Sequence, residues 1–211
     1  MDKLRHRFRF ALALLGVLLP GQGLGQSLAC EKPAGFINPP RPDLAPLEDL
    51  LSHTEEIDVA RPFAAPPLNR PLEEAIRPTK DLPGVAGTIR LSEQGYGGVG
   101  SRRLVCLTDG STTVEEVLLA EASDGSRRFR YVVWNYTSPK FRDVAYAVGE
   151  IVNTRPASGM THVAWTYRFA PKSGLGAEER LRFRQTFLEQ QFAAWMRSQL
   201  ESGKAASEAA P

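Results

Sequence analysis

Apolar and polar residues alternate with a period of two through the middle of the chain, and this pattern predicts a series of antiparallel strands. Turn-forming or glycine-rich stretches separate the strand-like segments, and two of these stretches contain an Asp-Gly pair, at Asp109 and Asp124. An earlier alternating segment, 55–63, predicts a first strand that stops at prolines. The six later segments are 88–93, 101–108, 113–121, 128–136, 144–153 and 161–169.

The pattern changes to the helical period in two places. A short helix is predicted around 72–76, with Pro71 at its first turn and Pro78 at its end. A long amphipathic helix is predicted over 177–201. Its apolar stripe contains Leu181, Leu188, Phe192 and Trp195, widened by Phe187 and Met196. The order of elements predicts an α+β fold, in which a curved antiparallel sheet of about seven strands wraps around the C-terminal helix and leaves a cavity between them.

The first 29 residues are typical of a signal peptide, because a basic start precedes an apolar run too short to span a bilayer. Cleavage is expected after Gly25 or after Ala29. Cys30 would then lie close to the new terminus, but Ser27 stands where a lipoprotein signal normally has leucine, so a soluble exported protein is favoured over a lipoprotein. The predicted domains are a signal peptide (1–29), a proline-rich linker (30–54), the folded domain (55–201) and a disordered tail (202–211).

The charge balance of the chain does not support a polyanion-binding surface. The chain has 26 Lys and Arg against 24 Asp and Glu. Removal of the leader takes four basic residues and one aspartate, which leaves 22 against 23 and a net charge of −1. Because phosphate contacts need clustered cations, no nucleic acid partner is expected. The expected location is periplasmic or extracellular, and transient contact with a membrane stays open.

Neither the cysteines nor the glycine-rich stretch predicts a cofactor. Cys30 and Cys106 could pair in an oxidising compartment. Free thiols are favoured over a disulfide, since Cys106 lies in an alternating segment where a small buried thiol is common. Together with the histidines they lack the spacing of a metal site. The stretch GYGGVG (95–100) has neither the following helix nor the lysine of a phosphate-binding loop. No cofactor and no metal are therefore predicted.

Several short stretches resemble the SRPBCC superfamily, the START-like, helix-grip group that includes polyketide cyclases/dehydrases and lipid-transfer domains. The resemblance covers about 55–200, and its most specific part is the closing segment THVAWTYRFAP (161–171). It implies a sheet that grips the C-terminal helix around an apolar cavity for lipids, polyketides or other hydrophobic ligands. The other matching stretches are GVGSRR (98–103), DGSTTVEE (109–116), FRYVV (129–133), Pro139 and Gly149.

Strand alternation and the helix stripe together predict the wall of this cavity. Tyr131 is expected to face inward, and Trp134 and Tyr136 outward, while Pro139 and Phe141 shape a loop at one mouth of the cavity. The same rings could instead form only a packed core. The predicted ligand-binding residues are Tyr131, Val133, Val163, Trp165, Tyr167, Phe169, Leu188, Phe192 and Trp195.

The sequence offers few catalytic candidates. Glu150 is expected at a rim or on the surface, beside an inner set of Ala147, Gly149 and Ile151. One of Arg102 and Arg103 should point inward, where it would hold an acidic ligand group or, more simply, pair with Glu115 or Glu116. His162 is expected to face solvent, and His53 falls in the predicted linker.

Three functions remain open from the sequence alone. An exported protein that binds a small hydrophobic or amphipathic ligand is favoured. The alternative is a cyclase or dehydratase-like enzyme that uses a tyrosine or glutamate in the same cavity. An envelope interaction protein with a fully packed core is the third.

Overall fold

The seven β-strands form one antiparallel sheet in the order β1-β7-β6-β5-β4-β3-β2. The computed structural model describes residues 30–63, 70–158 and 160–209. The predicted signal peptide with its two cleavage points, and the last two residues of the predicted tail, lie outside the described residues. The strands are β1 (Leu51–Val59), β2 (Val85–Arg90), β3 (Arg102–Leu107), β4 (Thr112–Ala122), β5 (Ser126–Trp134), β6 (Val144–Thr154) and β7 (Thr161–Pro171).

The sheet curves around the C-terminal helix. Register shifts interrupt the pairing of β2 with β3, of β4 with β5 and of β6 with β7. Such bulges bend a strand and increase its twist, which lets an open sheet become concave. The predicted fold class is thereby confirmed: a curved seven-stranded antiparallel sheet grips a long C-terminal helix. Among the described helices, none has both the length and the apolar character needed to cross a membrane.

The helical elements are short except at the C-terminus. Two single 3₁₀ turns occupy Leu47–Asp49 and Pro139–Phe141, and α1 spans Leu72–Ala75. The C-terminal helix consists of α2 (Ala177–Arg182), a π-helical stretch (Phe183–Phe192) and α3 (Ala193–Ala209).

The π-helical stretch changes which side chains of the C-terminal helix reach the sheet. Phe183 and Phe192 are nine residues apart, about two and a half turns of an α-helix, and would lie on opposite sides of one. The wider π turn brings both to the same face, where they are buried with Phe187 and Leu188. Leu181, which α-helical periodicity placed in the apolar stripe, is instead 52% exposed. That part of the predicted stripe was wrong.

Two predicted domain boundaries also differ from the structure. The first strand begins at Leu51 rather than at residue 55, because Leu51 continues the antiparallel pairing of β1 with β7 opposite Phe169. At the other end, α3 continues to Ala209, so Ser202–Ala209 are helical rather than a disordered tail. Glu208 fixes this last turn, because its carboxylate accepts a hydrogen bond from the Ala60 amide at 2.9 Å.

The proline-rich segment 30–50 is not a free linker. It covers the convex face of the sheet, and we call it the N-terminal strap. The Ala45 amide donates a hydrogen bond to the Tyr146 hydroxyl at 2.7 Å, and Arg41 pairs with Glu116 at 2.8 Å. The strap residues Phe36, Leu44, Leu47 and Leu50 pack on an outer cluster formed by Leu104, Val114, Val132, Trp134, Tyr146 and Val148. The fold therefore has a hydrophobic layer on each face of its sheet.

A disulfide joins the strap to β3. Cys30 and Cys106 are bonded, with a Cα–Cα distance of 5.5 Å, so the expectation of free thiols was wrong. Cys106 is buried under the strap, which carries Cys30 across the backbone of Gly87. A Cβ at Gly87 would stand 2.8 Å from the Cys30 Cβ, so this crossing requires glycine.

Candidate functional site

A cavity of about 520 Å³ lies between the concave face of the sheet and the C-terminal helix. Its wall is mostly apolar, and a few polar side chains reach into it. Ligand sites for small molecules are commonly concave, largely apolar and about 300–1,000 Å³ in volume. The element α1 closes one side through Leu72, Ala75 and Ile76. The interior is therefore not completely filled by packed side chains, as it would be in a protein with only a structural core.

Seven of the nine predicted ligand-binding residues lie in the cavity wall, namely Tyr131, Val133, Val163, Trp165, Tyr167, Phe192 and Trp195. The other two, Phe169 and Leu188, lie in the packed core behind it. Phe169 is fully buried and has edge-to-face contacts with Phe183, Phe187 and Phe192. These contacts leave it no free face, because the π-helical stretch brings three rings over it. Ligand binding by the seven wall residues stays a prediction.

Three aromatic side chains form a chain of hydrogen bonds in the cavity wall. The Trp165 indole N–H donates to the Tyr131 hydroxyl at 3.0 Å, and the Tyr131 hydroxyl donates to that of Tyr167 at 2.9 Å. Among the described residues no acceptor is recorded for the Tyr167 hydroxyl hydrogen. Desolvation by burial raises the pKa of both tyrosines above the usual value. Both phenols are therefore protonated at neutral pH, and Tyr167 can donate to a ligand oxygen.

Tyr131 fits against the sheet only because its neighbour on β6 is glycine. Gly149 is directly opposite Tyr131 in the pairing of β5 with β6. A Cβ added at Gly149 would lie 2.3 Å from Tyr131 Cζ and 2.6 Å from its hydroxyl oxygen. Gly149, Ala147 and Ile151 thus form the predicted inner set, and the small residues leave room for the ring.

A second polar group in the cavity wall is a paired Arg103 and Glu115. These residues are opposite one another on β3 and β4, and the guanidinium Nη2 is 2.8 Å from Glu115 Oε2. The Tyr96 hydroxyl donates to Glu115 Oε1, and its ring lies 3.7 Å below the Arg103 guanidinium carbon. The cross-strand pair that the sequence offered as one option is therefore the one observed. Both charges are neutralised within the protein.

The other polar candidates lie outside the cavity. Arg102 faces the convex side and pairs with Glu116 at 2.6 Å. His162 is on the surface, 2.9 Å from Asp58. His53 lies within β1 rather than in a linker, and its Nε2 is 2.9 Å from Glu55 Oε1.

Glu150 was expected at a rim or on the surface, but it lies on the convex face and is buried. Its carboxylate binds the guanidinium groups of Arg128, Arg130 and Arg168 at 2.8–3.3 Å. Burial raises its pKa, but the hydrogen bonds and charges of Arg130 and Arg128 more than offset this, so the pKa of Glu150 is below its usual value. The Glu150 carboxylate thus carries a negative charge that pairs with all three arginines.

One end of the cavity is closed by aromatic packing. Tyr136 stacks on Phe141 at a centroid distance of 4.8 Å, and Phe141 contacts Phe187 edge to face. The prediction that Tyr136 points outward was wrong, because Asn135 has a positive φ of 57° that breaks the alternation after β5. Trp134, just before this break, does face outward. Phe141 is buried, so the loop that was expected to shape a mouth seals this end.

Several wall residues were not among the predicted ligand-binding residues. Phe129 has the same parity as Tyr131 and was available from strand alternation. The contributions of Phe63, α1 and Gln199 depend on how separate elements pack together, which no local pattern encodes. Gln199 connects α3 to the segment that follows α1. Its side-chain oxygen accepts a hydrogen bond from the Arg77 amide at 2.8 Å, and its side-chain nitrogen donates to the Arg77 carbonyl oxygen at 3.0 Å.

The opposite end of the cavity is bordered by cations. The first residues of β5 and β7 and the last residues of β6 and β1 meet at this edge of the sheet, and α3 reaches it near Ser207. The positively charged wall residues at this edge are Arg61, Arg127 and Lys204. Within the described ranges, no group of three or more metal-binding side chains occurs.

Comparisons with known proteins give likeness of fold at low identity. No protein-family model matches the chain, and a search of curated proteins finds no match. Among solved structures, ginseng major latex-like protein 151 from Panax ginseng is 15% identical, with coverage of 74% of this chain and 96% of that chain and a TM-score of 0.46.

Two bacterial structures are similar to the same extent. A protein of Nitrosospira multiformis is 17% identical, with 75% of this chain and 94% of that chain covered and a TM-score of 0.45. A protein of Bacillus thuringiensis is 16% identical, with 74% and 98% covered and a TM-score of 0.46. The chain has a helix-grip fold, in which a curved seven-stranded antiparallel sheet surrounds a long C-terminal helix. That assignment rests on its own strand order and on its C-terminal helix, and the fold by itself does not name a ligand.

Proposed function

We propose that this protein is an exported binding protein that holds a small hydrophobic or amphipathic molecule between its sheet and its C-terminal helix. The observation that carries the proposal is the apolar cavity of about 520 Å³ in an interior that is otherwise densely packed. An apolar ligand gains free energy there by leaving water. The hydroxyl of Tyr167 adds one directed hydrogen-bond donor, which suits a ligand that carries an oxygen.

Two observations support export. The first 29 residues have the pattern of a signal peptide. The disulfide between Cys30 and Cys106 is of the kind that persists in oxidising compartments. A periplasmic or extracellular location accounts for both. The bonded Cys30 favours the soluble form over a lipid-anchored one.

Catalysis in the same cavity is less well supported. A cyclase or dehydratase needs an acid and a base at the reacting atoms. The raised pKa of Tyr167 makes its phenol a weak acid and keeps it protonated at neutral pH, so it is not available as a base. Glu115, the single carboxylate among the described wall residues, already binds Arg103 and Tyr96. Binding without chemistry is therefore the function we favour.

Native mass spectrometry tests the proposal directly. The mature protein, purified from its own envelope, is measured before and after organic extraction. A reproducible mass difference that extraction removes is expected, and its size gives the class of the ligand. Equal masses, combined with failure of the neutral fluorescent probe N-phenylnaphthylamine to bind, would contradict the proposal.

A cavity-filling variant adds a test that does not depend on the natural ligand. Val163→Phe places a ring in the cavity wall and should abolish binding of N-phenylnaphthylamine while the protein remains folded. Val99→Phe makes the same change at a side chain that is 66% exposed and should bind the probe normally. Equal binding by the two variants would place the probe outside the cavity.

A further inference from the structure

The charge in the cavity wall differs sharply from that of the rest of the protein. The described residues contain 22 Lys and Arg against 23 Asp and Glu, a net charge of −1. The wall contains five cations and one carboxylate. Arg103 and Glu115 neutralise one another, and the wall also contains Arg70, Arg127 and Lys204. A cavity in a slightly acidic protein thus has a strongly positive border.

Arg127 and Lys204 lie at the end of the cavity opposite the stacked rings of Tyr136 and Phe141. Arg127 is at the start of β5, opposite Asn153 near the end of β6. Its guanidinium carbon stands 4.6 Å from the ring centre of Phe63, which also lines the cavity. Arg61 contacts α3 through the Ser207 carbonyl oxygen at 3.5 Å. Lys204 lies three residues earlier on α3, so sheet and helix present their cations at one edge.

The positive charges of Arg127 and Lys204 are not strongly paired with carboxylates among the described residues. Among the described residues no ion pair joins Arg127 or Arg70 to a carboxylate. Lys204 has only an i,i+4 contact with Glu208 at 3.8 Å, and a pair of this kind at the surface is weak. All of these side chains are partly buried. Their alkyl stems can therefore follow the apolar wall while the charged groups stay near water.

We propose that this end of the cavity is an anion-binding site, in which Arg127 and Lys204 hold the acidic head group of an amphipathic ligand whose hydrocarbon part fills the cavity. This inference rests on the proposed binding function and specifies its ligand class. A low-dielectric cavity with cations of one sign at its mouth concentrates the field there and attracts anions. A carboxylate and a phosphate monoester share the required chemistry.

Competition among three ligands with the same alkyl chain tests the site. Dodecanoate, dodecyl phosphate and uncharged dodecanol displace N-phenylnaphthylamine from the full mature protein, each below its micellar concentration. We expect at least one anion to bind about tenfold more tightly than dodecanol at low salt. Added NaCl should weaken the anion and leave dodecanol unchanged. The comparison of the two anions distinguishes a carboxylate from a phosphate head group.

Substitution of the two cations tests whether they cause the tighter binding of the anions. In Arg127→Gln/Lys204→Gln the advantage of the anion over dodecanol should fall about tenfold, with dodecanol unaffected. Arg155→Gln is the matched control, because Arg155 is exposed at the same edge of the sheet but is not in the wall. If the double variant does not fold, Lys204→Glu alone should shift the preference from dodecanoate toward dodecyltrimethylammonium.

The outcomes separate this inference from the function it rests on. Equal binding of dodecanol and both anions, or an anion advantage that survives in the double variant, overturns the anion site while probe binding still supports a hydrophobic cavity. Failure of N-phenylnaphthylamine and of all three alkyl ligands overturns both proposals.

Discussion

Tyr131 lies against Gly149 so closely that a single methyl group at Gly149 would stand 2.3 Å from the ring carbon Cζ. The contact sets the position of the Tyr131 hydroxyl, which in turn binds both Trp165 and Tyr167. A glycine on one strand thus positions the polar centre of the cavity on two others.

Gly149→Ala should therefore disturb both stability and binding. The added methyl group forces the Tyr131 ring from its place, and overpacking of this kind costs roughly 1–3 kcal/mol in the free energy of unfolding. Urea denaturation measures that loss, and a probe titration measures the accompanying loss of affinity. Gly125→Ala is the control, since a Cβ there meets nothing within 4 Å. If Gly149→Ala is as stable as Gly125→Ala, the ring is not held as described.

Tyr167→Phe should weaken binding of ligands that contain an oxygen. It removes the last hydroxyl of the chain and leaves Tyr131 without its acceptor, which costs about 1 kcal/mol in stability. The affinity for an oxygen-containing ligand should fall several-fold, while that for a pure hydrocarbon should not. Tyr146→Phe is the control, because it removes a hydroxyl on the convex face that accepts a hydrogen bond from the Ala45 amide, and it should leave the affinity unchanged. An equal loss of affinity in the two variants would contradict the donor role of Tyr167.

Reduction of the disulfide should destabilise the protein by freeing the strap. Cys30 and Cys106 are separated by 76 residues, and a cross-link over a loop of this size contributes roughly 2–4 kcal/mol. Thermal unfolding with and without dithiothreitol measures the effect. Cys30→Ala serves as the control, because it should already be as unstable as the reduced protein and should not respond to reductant. A reductant effect of equal size in that variant would argue against the cross-link.

Glu150→Gln should reduce stability at neutral pH and flatten its dependence on acid. The pKa of Glu150 is lowered in the folded protein, so the carboxylate stabilises fully above its unfolded value near 4.5, and this contribution is lost as the pH falls through the folded value. Removing the charge leaves three arginines facing each other. The expected loss at pH 7 is roughly 1–3 kcal/mol, less than for a fully buried pair because the arginines reach solvent.

Urea denaturation between pH 7 and pH 3 measures this difference. Glu121→Gln is the matched change, since Glu121 is exposed and stands 3.7 Å from Arg128. Its stability should follow the unmodified protein within about 0.5 kcal/mol. A Glu150→Gln protein with an unchanged acid profile would contradict the role of the arginine cluster.

Strand alternation predicted the sheet and much of the cavity wall, because one face of each strand had to be apolar wherever it meets the helix. It placed Tyr131, Trp165 and Tyr167 inside and Trp134 outside, as observed. The prediction failed where the backbone leaves its regular period. A positive φ at Asn135 turns Tyr136 inward. In the C-terminal helix, the π-helical stretch buries Phe183 against the sheet, whereas Leu181 remains exposed.

Features that join distant segments were not predictable from one sequence. Prolines in 30–54 indicated a linker, but the apolar residues among them pack on a convex face that itself carries Trp134 and Tyr146. The cationic end of the cavity has the same origin, since Arg127 and Lys204 belong to segments with no local pattern in common. Both depend on the three-dimensional arrangement of elements far apart in the chain.

The pairing of β1 with β7 has a consequence for how the protein folds. Leu51 finds its partner in Phe169, so the first strand of the sheet can complete its hydrogen bonds only after almost the whole chain is present. Folds dominated by such distant pairings form slowly, over milliseconds to seconds. Until β7 and the C-terminal helix are available, the sheet lacks its β1 edge and the cavity lacks one of its walls.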